Sequence, residues 1–207
     1  MKIIWNGITK ENAIFSLTLG LCSTLAVTTT VESAYLMGIC VTIVLFFSSI
    51  VVSLIKKIVP DNVRLPVYIL IVGTFVTIFE LLLQTYLPNV YDLLGIYLPL
   101  IVVNCIVLGR CLSVYSKKGV TYSMLDSFGI GIGYLLTILL VAFCREALGN
   151  GTITLVDQAS SLFGSKQIIY LPINDYFPML FFQTPAGAFF TLGILIGCFR
   201  LLKKVKK

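Results

Sequence analysis

Charged residues are so sparse in this sequence that their spacing limits the fold more than any motif does. Twenty uncharged residues lie between Glu11 and Glu32, and 23 between Glu32 and Lys56. A third stretch runs from Arg64 to Asp92, interrupted by Glu80. A fourth, of 17 residues, runs from Asp92 to Arg110 and has Gly95 and Pro99 in its first half. Asp126 to Arg145 encloses 18 residues, and Asp175 to Arg200 encloses 24. A hydrocarbon layer about 30 Å thick takes roughly 20 apolar residues of helix, and only helices or closed barrels pair all of their backbone inside it. Strand-like alternation of apolar and polar residues is absent. The chain is therefore expected to be all-α: a polytopic membrane protein with six transmembrane helices, residues 1–207 forming one membrane domain. The N-terminal stretch holds Glu11, lacks a small-residue cleavage motif and runs straight into the first span, so no cleaved signal peptide is expected.

Lysine and arginine set the orientation. On the six-span plan 13 of the 15 fall on one side, leaving only Arg145 and Lys166 on the other. Positive residues stay inside, so both termini are expected in the cytoplasm. The net charge of +6 and the KKVKK tail then serve topology and contact with anionic lipid rather than nucleic acid. The spans also repeat. A short helix carrying a cysteine precedes two longer helices over about residues 10–88, and again over about 93–202. Three spans per half insert the second half upside down, and inverted repeats of this kind place functional groups near the midplane on broken or short helices. Between the fifth and sixth spans, residues 146–177 begin with a polar GNGT and continue into IIYLPINDYFP, expected as an interfacial, aromatic re-entry without chemistry.

Histidine is missing altogether, which excludes histidine-ligated haem, mixed Cys/His zinc sites and histidine proton relays. The six cysteines sit mostly in apolar runs and do not read as a disulfide framework. A free cysteine in a membrane helix is ordinarily a small hydrophobe, and that reading suits Cys40, Cys111, Cys144 and Cys198. Cys22 in LGLCSTLAVT and Cys105 in VVNCIVLGR differ, because they occupy equivalent places in the two halves, 83 residues apart (105 − 22). Gly20 lets another backbone approach, and Ser23 and Asn104 can donate hydrogen bonds to sulfur. Two thiolates are half of the four that an iron–sulfur cluster takes. An iron site here therefore requires a second chain, in a heterodimer or a homodimer.

Carboxylates form the second set of candidates. Glu80, within TFVTIFELLLQ, is a carboxylate inside a span, and such groups bind Na⁺, carry protons or are held as paired or protonated structural residues. Asp126 is expected to open the fifth helix, as a cap or as an ion-translocating group. Gly129, Gly131 and Gly133 in FGIGIGY imitate a dinucleotide fingerprint, but they follow no strand and sit inside a span. Close helix packing is the expectation for them.

Taken together, LGLCSTLAVT, PLIVVNCIVLGR, SMLDSFGIGIGY, REALGNGT and PAGAFFTLGILIG resemble the RnfE/NqrD family of membrane subunits, from about residue 10 to 200. These subunits belong to the Rnf ferredoxin–NAD oxidoreductase and to the sodium-pumping NADH–quinone reductase. The resemblance implies a bacterial cytoplasmic (inner) membrane location and a pseudo-symmetric partner, RnfA-like, inserted in the opposite orientation. It further implies one intramembrane 2Fe–2S cluster shared between the two chains, with Cys22 and Cys105 as this chain's ligands. Ser23 stands where the family usually has proline. The family usually carries an acidic residue at the positions of Glu80 and Asp126. The function implied is that of an electron-transfer component of an ion-translocating oxidoreductase, moving electrons between ferredoxin and NAD⁺ while Na⁺ or H⁺ crosses, with nucleotide and ferredoxin bound by other subunits. The equivalent component of the NADH–quinone reductase is the alternative. Two other classes stay open: an inverted-repeat secondary transporter coupled through Glu80, and a structural anchor. Visible absorption separates a cluster-bearing complex from a transporter.

Overall fold

The structure, a computed structural model, describes residues 14, 19–149, 152–156, 167–170 and 180–205. Among these the chain forms helices α1 (Leu21–Val27), α2 (Val31–Ile55), α3 (Arg64–Tyr86), α4 (Pro88–Leu94), α5 (Cys105–Arg110), α6 (Val120–Gly149) and α7 (Pro185–Val205). A π turn, Cys111–Tyr115, extends α5. Strands β1 (Thr152–Val156) and β2 (Gln167–Tyr170) pair as an antiparallel ribbon with Thr152 opposite Tyr170. The spans are thus all helical, and the ribbon lies in the stretch expected to form an interfacial re-entry. Of IIYLPINDYFP, the first three residues belong to β2 and the rest lies outside the described residues.

Among the described residues four segments are long and apolar enough to cross a bilayer: Val31–Ile55, Asp61–Tyr86, Leu98–Tyr115 and Val120–Gly149. The other two expected spans take a different form among the described residues. The first appears as the seven-residue α1, its upstream half lying outside the described residues, and the sixth as Pro185–Leu201, a shorter apolar helix. Local chemistry explains the first. Gly20 sits in the left-handed region at φ 80 and starts α1 there, and α1 ends at Thr28. Thr30 then caps α2, its side chain accepting from the Ser33 N–H at 3.3 Å. The fourth expected span is also broken. Pro88 starts α4, a 3₁₀ turn at Leu98–Ile101 carries Pro99, and Asn104 starts α5 afresh.

Antiparallel packing of α2 on α6 builds the core. A Cβ on Gly131 of α6 would meet Thr42 Cγ2 at 2.5 Å, and one on Gly38 of α2 would meet Leu135 Cγ at 3.1 Å. Gly131 of FGIGIGY therefore serves close helix approach, as expected. Ser49 Oγ donates to Ser127 Oγ at 3.3 Å further along the same seam. At one end the Val31 N–H donates to Glu146 Oε2 (2.6 Å), and at the other Ser53 Oγ donates to the Lys118 carbonyl (3.1 Å). The end of α6 thus rests on the α1–α2 turn, and the end of α2 on the turn before α6. Helix α3 stands apart: 17% of its apolar window is buried, against 56% for α6, so it presents most of its surface outward.

Candidate functional site

Two short helices begin beside one another and carry the two cysteines. α1 starts after Gly20, and a Cβ at Gly20 would overlap the side chain of Ile106 in α5. Glycine is needed there twice, for its left-handed backbone and for the approach of the other helix. α5 starts after Asn104, whose Oδ1 accepts from the Ile106 N–H at 3.1 Å. Cys22 is the second residue of α1, and Cys105 is the first of α5.

The residues next to the cysteines are joined across this gap. Asn104 Nδ2 donates to Ser23 Oγ at 3.1 Å, and Ser23 Oγ donates to the Gly20 carbonyl at 3.1 Å. A hydroxyl has one proton and two lone pairs. With its proton on Gly20, Ser23 accepts from Tyr134, whose hydroxyl is 2.9 Å away. Ser23, Asn104 and Tyr134 are each 0% exposed. Cys22 and Cys105, by contrast, are both exposed. A buried polar bridge therefore lies inside, and the two thiols stand on the outer surface at the breaks of two apolar segments. Ser23 makes two side-chain bonds in this bridge that a proline at the same position has no atoms to make.

Arginines hold the far ends of both short helices. Arg145, 1% exposed, donates through Nη1 to the Leu25 carbonyl (3.3 Å) and Thr28 Oγ1 (2.5 Å) at the end of α1. Its Nε reaches the Phe182 carbonyl at 3.0 Å and its Nη2 the Gln183 carbonyl at 2.9 Å, so it ties α1 to the turn before α7. Arg110 ends α5 and places Nη1 3.8 Å from Asp126 Oδ2, with both residues buried. A cation suits the carbonyl-rich end of a helix.

Asp126 does not open a helix, because α6 begins at Val120 and Asp126 lies in its second turn. Its place is beside Arg110. Glu80 is half-buried near the end of α3, on the span that is least covered by the rest of the chain. Arg145, which the charge distribution marks only as an orientation signal, is a buried clamp. The sequence does carry a sign of this: a lone Arg-Glu pair at the end of an apolar run, on the side otherwise nearly bare of cations. Cys40 and Cys111 are buried, Cys144 is half-buried and Cys198 is exposed. Among the described residues no three His, Cys, Asp or Glu side chains converge on a metal-sized point.

Several apolar spans packed around an antiparallel helix pair define a multi-pass membrane protein. The chain matches, over residues 1–196, the family described as Rnf-Nqr subunit, membrane protein, and it belongs to that family. It is 40% identical to the E-type component of the Na(+)-translocating ferredoxin:NAD(+) oxidoreductase complex of Acetobacterium woodii, over 95% of this chain and 94% of that protein. It is 43% identical to the E-type component of the ion-translocating oxidoreductase complex of Methanosarcina acetivorans, covering 92% and 85% of the two chains. The corresponding component of the proton-translocating ferredoxin:NAD(+) oxidoreductase complex of Clostridium ljungdahlii is 38% identical, over 100% of this chain and 94% of that one.

Proposed function

We propose that this chain is the E-type component of an Rnf-type complex, an ion-translocating ferredoxin–NAD oxidoreductase. In this reading it gives Cys22 and Cys105 to an intramembrane 2Fe–2S cluster, which two cysteines of a homologous, oppositely inserted partner complete. The observation that carries the reading is the Asn104–Ser23–Tyr134 bridge, which couples the two cysteine-bearing helices while leaving both thiols exposed. Two thiols facing outward from apolar segments suit a ligand set finished by another chain. Its relatives at 40% and 38% identity carry sodium and proton in their names, so one molecular plan accompanies either ion.

When bound, such a cluster supplies one-electron transfer within the membrane. The chain's own residues do the rest. Cys22 and Cys105 bind as thiolates, since metal binding releases the thiol protons. Ser23, Asn104 and Tyr134 fix the separation of α1 and α5, and the α2–α6 core holds both in place. With the partner covering the thiols, the apolar segments around them would keep water from the group and so influence its potential. The reciprocal contacts at the two ends of the α2–α6 pair support an inverted repeat. With the lysine distribution, they favour two cytoplasmic termini in the inner membrane. Nucleotide and ferredoxin would bind elsewhere in the complex. Asp126 beside Arg110, and Glu80 on α3, are the groups proposed for ion translocation.

Iron content and visible absorption of the purified complex carrying Cys22→Ala test the assignment. Loss of about two irons and of part of the visible absorption, with all subunits retained, is expected. Unchanged iron in an assembled variant would refute the ligand role.

A further inference from the structure

The end of α5, its π turn and the turn that follows carry a second site, separate from the thiols. Arg110 ends α5, Val114 lies in the π turn, and Lys117 and Lys118 follow in the turn before α6. With Leu19 and Tyr122 they wall a cavity of about 640 Å³, and among the described residues no carboxylate lines it. Arg110 is 6% exposed, whereas both lysines are exposed. Lys118 Nζ lies 5.5 Å from the centre of the Tyr122 ring. The turn holding the lysines is fixed from outside, since Ser53 Oγ and Lys56 Nζ both donate to the Lys118 carbonyl. Lys56 thereby brings a fourth cation to the turn. Asp126 stands 3.8 Å from Arg110 on the α6 side, outside the lining.

Arg110 already faces Asp126 on the α6 side, but Lys117 and Lys118 add two more positive charges to the same lining, and an anion between them would lower their mutual repulsion. We propose that this cavity binds a phosphate-bearing anion, with the planar guanidinium of Arg110 as a fork and Lys117 and Lys118 as point charges. Leu19 and Val114 give it an apolar wall, and its volume exceeds what a phosphate ion fills. Both features suit the headgroup of an anionic phospholipid, whose phosphodiester a soluble phosphate would imitate. The π turn fits this use, since wide turns inside α-helices recur at functional sites.

The test uses the full-length chain in nanodiscs of phosphatidylcholine, with phosphatidylglycerol titrated in and retained lipid counted by native mass spectrometry. Retention of one phosphatidylglycerol is expected. Lys117→Gln with Lys118→Gln should weaken it at least about tenfold, since each interfacial cation contributes roughly fivefold. Lys203→Gln with Lys204→Gln should leave it unchanged. Arg110→Lys, which keeps the charge and loses the fork, should weaken retention severalfold, and it replaces the lysine variant if helix melting shows that variant misfolded. In detergent, inorganic phosphate is titrated separately by phosphorus NMR. Binding there with the same dependence on Lys117 and Lys118, and no lipid retained, would support the site with a soluble phosphate as its occupant. Binding in neither arm, retention indifferent to the variants at this site, or equal loss in the tail variant would overturn it.

Discussion

At the scale of single residues, Ser23 concentrates the consequences. It is the third residue of α1, where a helix N–H has no partner within the helix, so a proline is tolerated by the backbone. Ser23→Pro should therefore keep α1 and sever the bonds to Asn104 and Tyr134. Two buried hydrogen bonds at about 1 kcal/mol each imply a loss of about 2 kcal/mol, read as a lower melting temperature in detergent. Tyr134→Phe removes only the outer bond and should cost about half as much. Gly20 is less forgiving. Alanine there meets the left-handed penalty of about 1–2 kcal/mol and also drives a methyl into Ile106. Gly20→Ala should give a chain that is made but poorly retained in the membrane fraction, checked by immunoblot. None of these roles is written in the residues alone. Sequence picks out Gly20, Ser23 and Asn104 as neighbours of two special cysteines, but their mutual bonds span 81 and 111 positions of chain and depend on the fold.

Between elements, buried charge fixes how the short helices sit against α6. Arg110 and Asp126 are both buried, and removing one partner of such a pair costs about 3–5 kcal/mol because the other charge remains in a low-dielectric site. Asp126→Asn should therefore destabilise strongly. Arg110→Gln with Asp126→Asn should cost less than the sum of the single changes, a coupling measured by a double-mutant cycle of melting temperatures. Loss of ion transport beyond that of a matched destabilised variant would separate a transport role for Asp126 from a structural one. Charge spacing locates α2, α3 and α6 well, since each is a long run of apolar residues bounded by charges. It cannot show that the first and fourth spans are broken. Hydropathy is blind to a left-handed glycine and to an asparagine cap, so 12–31 and 93–109 read as whole helices. Asp126 differs from its expected place because α6 starts six residues before it, at Val120 just after Lys117 and Lys118, so Asp126 is not the charge that bounds the helix.

For the whole molecule, the uncovered surfaces matter most. Helix α3 and both exposed thiols face away from the α2–α6 core, which suits a chain that works within an assembly. In the intact complex, Cys22 and Cys105 should resist a membrane-permeant maleimide and become reactive once iron is removed by chelation. Cys40 and Cys111, buried in this chain, should stay unlabelled throughout, as peptide mapping by mass spectrometry would show. The membrane class is plain from composition, and the sequence singles out Cys22 and Cys105 by their places in its two expected halves. The ribbon β1–β2 is not, because its strands are four and five residues long and follow a turn-rich GNG that offers no hydropathy signal. The most direct measurement is low-temperature EPR, with iron quantitation, of the reduced complex and of its Cys105→Ser variant. Loss of one 2Fe–2S signal and of about two irons, in a variant that still assembles, is the expected result. An unchanged spectrum and iron count would contradict the assignment of Cys105, and with it the role of this chain as half of a cluster site.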